Sequence, residues 1–252
     1  MDLGLKDKTV LVTGSSSGIG KATAIAFGAE GAQIAVTYHK NQQGADETAH
    51  KVIEAGGKAI VVHYDLADRD SIRASIERIQ KEWDALHVFV NNAVQNDHLA
   101  PSRKNFEDEP IEHWEAMLRS SLEGAAYTIQ CVLPLMRKSG WGRIISVSSD
   151  AVDGWPGLGA YATAKAGLEG LTRTLMVELG PANILSNVVM PGFVLTEGNQ
   201  QRVPAQYQDQ IREHTPTRQL VTPEDLANVI VFLGSQANRQ ITGEVIRVTG
   251  GR

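Results

Sequence analysis

The stretch Thr13-Gly14-Ser15-Ser16-Ser17-Gly18-Ile19-Gly20 decides how this chain is read. Before it stands a short, β-branched apolar run over residues 9–12; after it a helical pattern spans 21–30 and closes near Gly31. Gly14 gives the backbone angles closed to other residues, Gly18 allows close approach to a pyrophosphate, and Gly20 permits tight helix–strand packing. The free N–H groups and positive dipole end of the following helix, reached through Ser16, Ser17 and Ile19, favour an anion there. A turn built only for packing would use glycine too, but this placement between strand and helix points to dinucleotide binding.

Outward from that turn the two periodicities alternate. Strands are expected over 33–38, 59–63, 88–90, 143–147, 186–190 and 245–248, with helices over 44–55, 71–83, 111–137, 160–180 and 223–235. Strands this apolar need cover on both faces, so the pattern predicts an α/β protein. Its form is a doubly wound parallel sheet, the Rossmann arrangement, in a single domain over 1–252. Residues 94–110 and 196–217 lack a clear period and read as long irregular segments that overhang the strand ends.

Composition narrows the function. The chain has 252 residues, 24 basic against 29 acidic, for a formal charge of −5. With no basic block, nucleic-acid binding is excluded as a general property. The lone Cys131 cannot form an internal disulfide, and no apolar run reaches the ~20 residues of a membrane span, so a cytoplasmic protein without membrane contact is expected. The seven histidines form no zinc pattern, so no metal is expected, and the P-loop signature is absent.

The glycine turn and five later segments, in order, resemble the short-chain dehydrogenase/reductase family, most closely its 3-oxoacyl-carrier-protein reductases: Asp65-Leu66, Asn91-Asn92-Ala93, Tyr161-Ala162-Thr163-Ala164-Lys165 with Ser148-Ser149 upstream, Asn187 through Thr196, and Thr242 through Gly251. The last of these resembles the family's last strand. The resemblance implies that Asp65 and Leu66 meet the adenine, and that Asn91 and Ala93 form the wall of the cofactor site. It also implies that Pro191, Gly192, Val194 and Thr196 cap the nicotinamide. Three positions depart from the family: Val94 replaces a glycine, Ser121 an asparagine that supports proton relay, and Thr249 an aspartate.

The resemblance implies a catalytic set of Ser149, Tyr161 and Lys165. Tyr161 and Lys165, at i and i+4, share a helical face. Reducing a ketone requires hydride at carbon and a proton at oxygen; the nicotinamide gives the first and Tyr161 the second. Lys165 is expected to pull the tyrosine below its usual pKa of about 10 and to hold the nicotinamide ribose. A serine hydroxyl stabilises the substrate oxygen. Counting along the strand assigns this to Ser149, whereas counting back from Tyr161 favours Ser148.

No carboxylate stands at the end of the second expected strand, where one would bind the ribose hydroxyl of NAD. Lys40 and His39 there suit the extra phosphate of NADP, so NADP is expected, with NAD the alternative. The expected partner is a small-molecule carbonyl or alcohol, met by polar groups of the two irregular segments: Asn96, Asp97, His98, Arg103 and Lys104 in one, and Glu197, Arg202, Tyr207, Arg212 and His214 in the other. The family forms tetramers through its fourth and fifth helices, so a homo-oligomer is expected. Rival readings are an NAD-dependent alcohol dehydrogenase and a weakly catalytic nucleotide-binding sensor or scaffold.

Overall fold

The computed structural model describes residues 2–94 and 105–252. Its sheet has seven parallel strands: β1 (Thr9–Val12), β2 (Gln33–Tyr38), β3 (Lys58–His63), β4 (Val88–Asn91), β5 (Gly142–Val147), β6 (Ile184–Pro191) and β7 (Val245–Val248). Their order is β3-β2-β1-β4-β5-β6-β7. The direction of winding reverses between β1 and β4, and at such a switch point the crossover loops part and leave a crevice.

Alternation along each strand divides the core in two. Val10 and Val12, Ile34 and Val36, Val88 and Val90, and Ile145 and Val147 point to one face, where they pack with α1 (Gly18–Ala29), α2 (Gln42–Glu54) and α9 (Pro223–Leu233). Leu11, Ala35, Phe89 and Ile144 point to the other, against α3 (Arg69–Trp83), α5 (Gly124–Ser139) and α6 (Gly159–Leu179). Central strands thus have no polar face to offer water, which is why they read as unbroken apolar runs.

Local signals fix the helix ends. Asn41 caps α2, its side chain accepting from Gly44 N at 3.0 Å, so that helix starts two residues before the expected position. Thr222 and Asp225 form a reciprocal capping box at α9 with Pro223 in its first turn. Gly140, at φ +64°, stops α5.

Two expectations change. The helix expected over 111–137 is α4 (Ile111–Leu118) and α5, joined by a π-helical turn, Arg119–Glu123. The irregular segment expected over 196–217 holds two helices, α7 (Glu197–Arg202) and α8 (Ala205–His214). Thr196 caps α7, accepting from Asn199 N at 3.2 Å, and Pro204 caps α8. Their sequences are rich in good helix formers, but only Ile211 is buried, so neither shows a strong apolar stripe. No helix among the described residues is long and apolar enough to cross a membrane.

At the opposite end of the sheet His87 is partly buried, and its Nδ1 accepts from Thr9 N at 3.0 Å. Burial, with Lys8 nearby, pushes its pKa down to about 4. The unfolded chain therefore takes up a proton near pH 6.5 that the folded chain refuses until about 4. Stability should fall as pH drops across that window, and His87→Asn, which keeps an acceptor without the titration, should fall less steeply. Urea midpoints of both proteins at pH 7 and 4.5 check this; parallel slopes would remove His87 from the account.

Candidate active site

The glycine turn is held from both sides. Thr37 Oγ1 of β2 accepts from Gly14 N at 2.9 Å, and Ser15 Oγ accepts from Thr37 N at 2.8 Å. After β4, the backbone N–H groups of Asn92 and Ala93 both donate to Thr13 Oγ1, and Asn92 Nδ2 donates to Thr13 O at 2.9 Å. Gly14 adopts φ +67°, and a Cβ there would lie 2.9 Å from Ala93 Cα. At Gly20 a Cβ would lie 2.3 Å from Gly14 O, inside any tolerable contact. The turn therefore bends its backbone around open space.

That space is a cleft of about 870 Å³ at the carboxyl ends of the strands. At one end Gly14, Ser16, Ser17, Gly18 and Ile19 line it. Beyond them come His39 and Lys40 after β2, then Asp65 and Leu66 after β3. His39 Nε2 lies 3.4 Å from Asp65 Oδ2. Ala93, Pro191, Gly192, Val194 and Thr196 line the middle. Gly20 is buried in the helix start and Asn91 in the sheet; neither reaches the cleft wall. Lys21 of α1 and Glu197 of α7 pair at 3.6 Å.

Ser149 and Tyr161 line the other half together. Ser149 is in hydrogen-bonding contact with the tyrosine, while Ser148 turns away into the protein and donates to Glu169 Oε1 at 3.1 Å. Lys165, one turn along α6, lies buried beneath; its Nζ is 5.7 Å from the Tyr161 ring centre and donates to Val147 O at 2.7 Å. Burial pushes the Tyr161 pKa up; the Ser149 hydrogen bond opposes this and the Asp150 carboxylate adds to it. Burial also pushes Lys165 down to about 8. The expected lowering of Tyr161 by Lys165 is thus not what this structure has: desolvation dominates both groups. Ser121 sits in the π turn and spends its hydroxyl on Met117 Sδ at 3.3 Å.

Sequence reading passed over several cleft residues. Asp150, Trp155, Leu158, Phe193 and Arg252 line the half that holds Ser149 and Tyr161, whereas Glu197, Arg202 and Tyr207, which the sequence did point to, line the cleft as expected. Arg212 and His214 do not line it; Arg212 pairs with Asp209, and His214 Nδ1 bonds Gln210 O. Asn96, Asp97, His98, Arg103 and Lys104 lie outside the described residues. Asp150 follows Ser149 directly, and that adjacency was the available signal.

A dinucleotide fits these residues. A cradle of backbone that any Cβ would fill stands at a helix start, at the switch point of a parallel sheet. Comparison with known proteins agrees. The family model described as "Enoyl-(Acyl carrier protein) reductase" matches residues 14–252. The 3-oxoacyl-[acyl-carrier-protein] reductase FabG of Aquifex aeolicus is 36% identical over 259 residues, covering 100% of this chain and 99% of the relative. D-beta-hydroxybutyrate dehydrogenase of Cupriavidus necator is 35% identical over 263 residues, covering 98% of each. A solved 7α-hydroxysteroid dehydrogenase, complexed with NADH and 7-oxo glycochenodeoxycholic acid, superposes with a TM-score of 0.91 at 29% identity, covering 99% of this chain and 96% of its own.

The chain belongs to the short-chain dehydrogenase/reductase family. It is a nicotinamide-dependent oxidoreductase that interconverts ketones and alcohols.

Because the cradle closes on backbone rather than on side chains, Gly20→Ala should weaken NADPH binding at least about tenfold through a displaced turn. Fluorescence titration checks this, with a thermal melt to confirm folding; unchanged affinity would show that the turn does not bear on the nucleotide.

Proposed function

We propose that this protein is an NADP-dependent reductase of small or medium ketones in which Tyr161 exchanges the proton, Ser149 steadies the substrate oxygen, and Lys165 supports both. The observation that carries this reading is the meeting of Ser149 and Tyr161 on one wall of the cleft that begins at the glycine turn. When bound, the nicotinamide supplies or accepts the hydride. Tyr161 Oη gives its proton to the oxygen of the carbonyl as that oxygen gains charge. The Ser149 hydroxyl donates to the same oxygen, beside a tyrosine desolvated by burial, where such a bond is worth more than in bulk. Lys165, held by Val147 O with two further N–H donors, offers positive charge beneath the phenolate that remains. In oxidation the same groups act in reverse.

Gly14, Ser16, Ser17, Gly18 and Ile19 receive the pyrophosphate, with Gly20 allowing the approach. Asp65 and Leu66 receive the adenine; Asn91 supports Ala93 at the ribose; Pro191, Gly192, Val194 and Thr196 close over the nicotinamide. Lys40 and His39 take the 2′-phosphate, a reading supported by their place on the cleft wall and by the lack of a carboxylate at the end of β2. NAD is the second reading, favoured by the NADH named with the 7α-hydroxysteroid dehydrogenase. The single chain works in the cytoplasm as a homo-oligomer, a tetramer. The oligomer reading follows the family resemblance alone.

Tyr161→Phe should bind NADPH normally and lose about 10²- to 10⁴-fold in turnover. Ser149→Ala should lose on the order of 10²-fold, and Ser148→Ala much less. Steady-state rates on a ketone panel decide this; equal losses for the two serines would undo the assignment.

Lys40→Ala should cost roughly tenfold in NADPH affinity and little in NADH affinity. Equal effects on the two nucleotides would favour the NAD reading.

Lys165 keeps its charge only below about pH 8. Reduction should therefore decline as pH rises through that value, and Lys165→Arg should shift the decline upward. A rate profile without an alkaline limb would separate the lysine charge from the chemistry.

A further inference from the structure

We infer that Asp150 sets the substrate class: its carboxylate accepts a hydrogen bond from a donor group, hydroxyl or ammonium, that the substrate carries beside its carbonyl. The inference rests on the reading that the carbonyl sits between Ser149 and Tyr161. Asp150 directly follows Ser149 and lines the same cleft.

The carboxylate is half-buried and has no donor from another side chain among the described residues. Its one hydrogen bond is to its own backbone N–H. The cations around it are otherwise engaged. Arg247 of β7 pairs with Asp153 through two hydrogen bonds, one at 3.3 Å. The Arg252 guanidinium lies over the Trp155 ring, 5.7 Å from its centre, and attracts Asp150 only from a distance. Burial, aided by repulsion from the Asp153 carboxylate, outweighs these cations and pushes the Asp150 pKa up. The charged form is therefore already under-solvated before any substrate enters.

A substrate that fills the cleft removes the remaining water from this group. With a donor beside its carbonyl, the substrate replaces that water; with a methyl group there, it strands the carboxylate. Sites built around such an acceptor discriminate strongly against analogues that lack the donor. A carboxylate at that position in the substrate would meet repulsion. Trp155, Leu158 and Phe193 offer the rest of the substrate an apolar wall.

The test uses ketones matched in size: propiophenone, α-hydroxyacetophenone and α-aminoacetophenone, with NADPH, on wild type and Asp150→Asn. Wild type should prefer the two donor-bearing ketones by at least about tenfold in kcat/KM. Asp150→Asn, which loses the charge but keeps an amide oxygen as acceptor, should reduce the preference for the amino ketone to about twofold or less and lower that for the hydroxy ketone, with nucleotide affinity and thermal midpoint unchanged. A loss confined to the amino ketone identifies ammonium as the partner, and a loss on both identifies the hydroxyl as sufficient. If wild type shows no preference, or the variant loses equal rate on all three ketones, Asp150 acts only on the fold of its loop and the inference falls.

The same three ketones are titrated into the NADPH complex of Tyr161→Phe, with and without Asp150→Asn. Discrimination in binding without turnover in wild type would keep the Asp150 assignment and overturn the catalytic reading. Failure of all three ketones to bind would overturn the assignment itself.

Discussion

Seven strands running in one direction place all their carboxyl ends along a single edge, and everything else here depends on that alignment. Each strand delivers one short segment to the edge: the glycine turn after β1, His39 and Lys40 after β2, Asp65 after β3, Ala93 after β4, Ser149 after β5, Gly192 after β6 and Arg252 after β7. None of these residues is near the others in sequence. The apolar faces that hold the strands in register, such as Val12, Val36 and Val90 on one side and Leu11 and Phe89 on the other, therefore also set the spacing of the cleft wall. Packing and site geometry are one constraint: a slip of one residue in any strand would send its terminal side chain to the wrong face.

Desolvation shapes the chemistry of that wall. Tyr161 is pushed toward its phenol form and Lys165 toward its amine, while Asp150 nearby is pushed toward its acid. Burial disfavours charge on all three, so each gains most from a neighbour that arrives with the opposite charge or a hydrogen bond. Such a site is poised for ligands that complete it. Among the described residues, the Ser149 contact is the hydrogen bond that already favours the phenolate.

The sequence made the fold legible wherever burial was two-sided. The run Gln33–Tyr38 stands at the residues expected for it, because β-branched residues bounded by polar ones leave few alternatives. Helices α7 and α8 were hidden because a helix that buries only Ile211 carries no apolar stripe. The π turn was hidden because the sequence has no mark that separates a five-residue hydrogen-bond step from a four-residue one. At the site, the choice between Ser148 and Ser149 depended on strand alternation, which the structure expresses as one hydroxyl toward Tyr161 and the other toward Glu169. Asp150 could not be distinguished from a solvated loop aspartate, since its meaning comes from the aromatic and cationic groups that other elements bring beside it. The roles carried over from the family resemblance, from Gly14 to Thr196, were legible as positions; their chemistry remains for the experiments above.

The π turn at Arg119–Glu123 has a geometric effect beyond its own length. One additional residue in a helical turn rotates all that follows by about 100° relative to a regular helix. Before the turn, Trp114, Met117 and Leu118 pack toward Ala160, Tyr161 and Ala164 of α6. After it, Ile129, Val132 and Met136 pack into the sheet core beside α3. The turn thus acts as a phase shift in one continuous rod, letting it address two neighbours that lie in different directions. Losing a single residue from this stretch would leave every catalytic group in the chain, yet it would point the support of Tyr161 elsewhere.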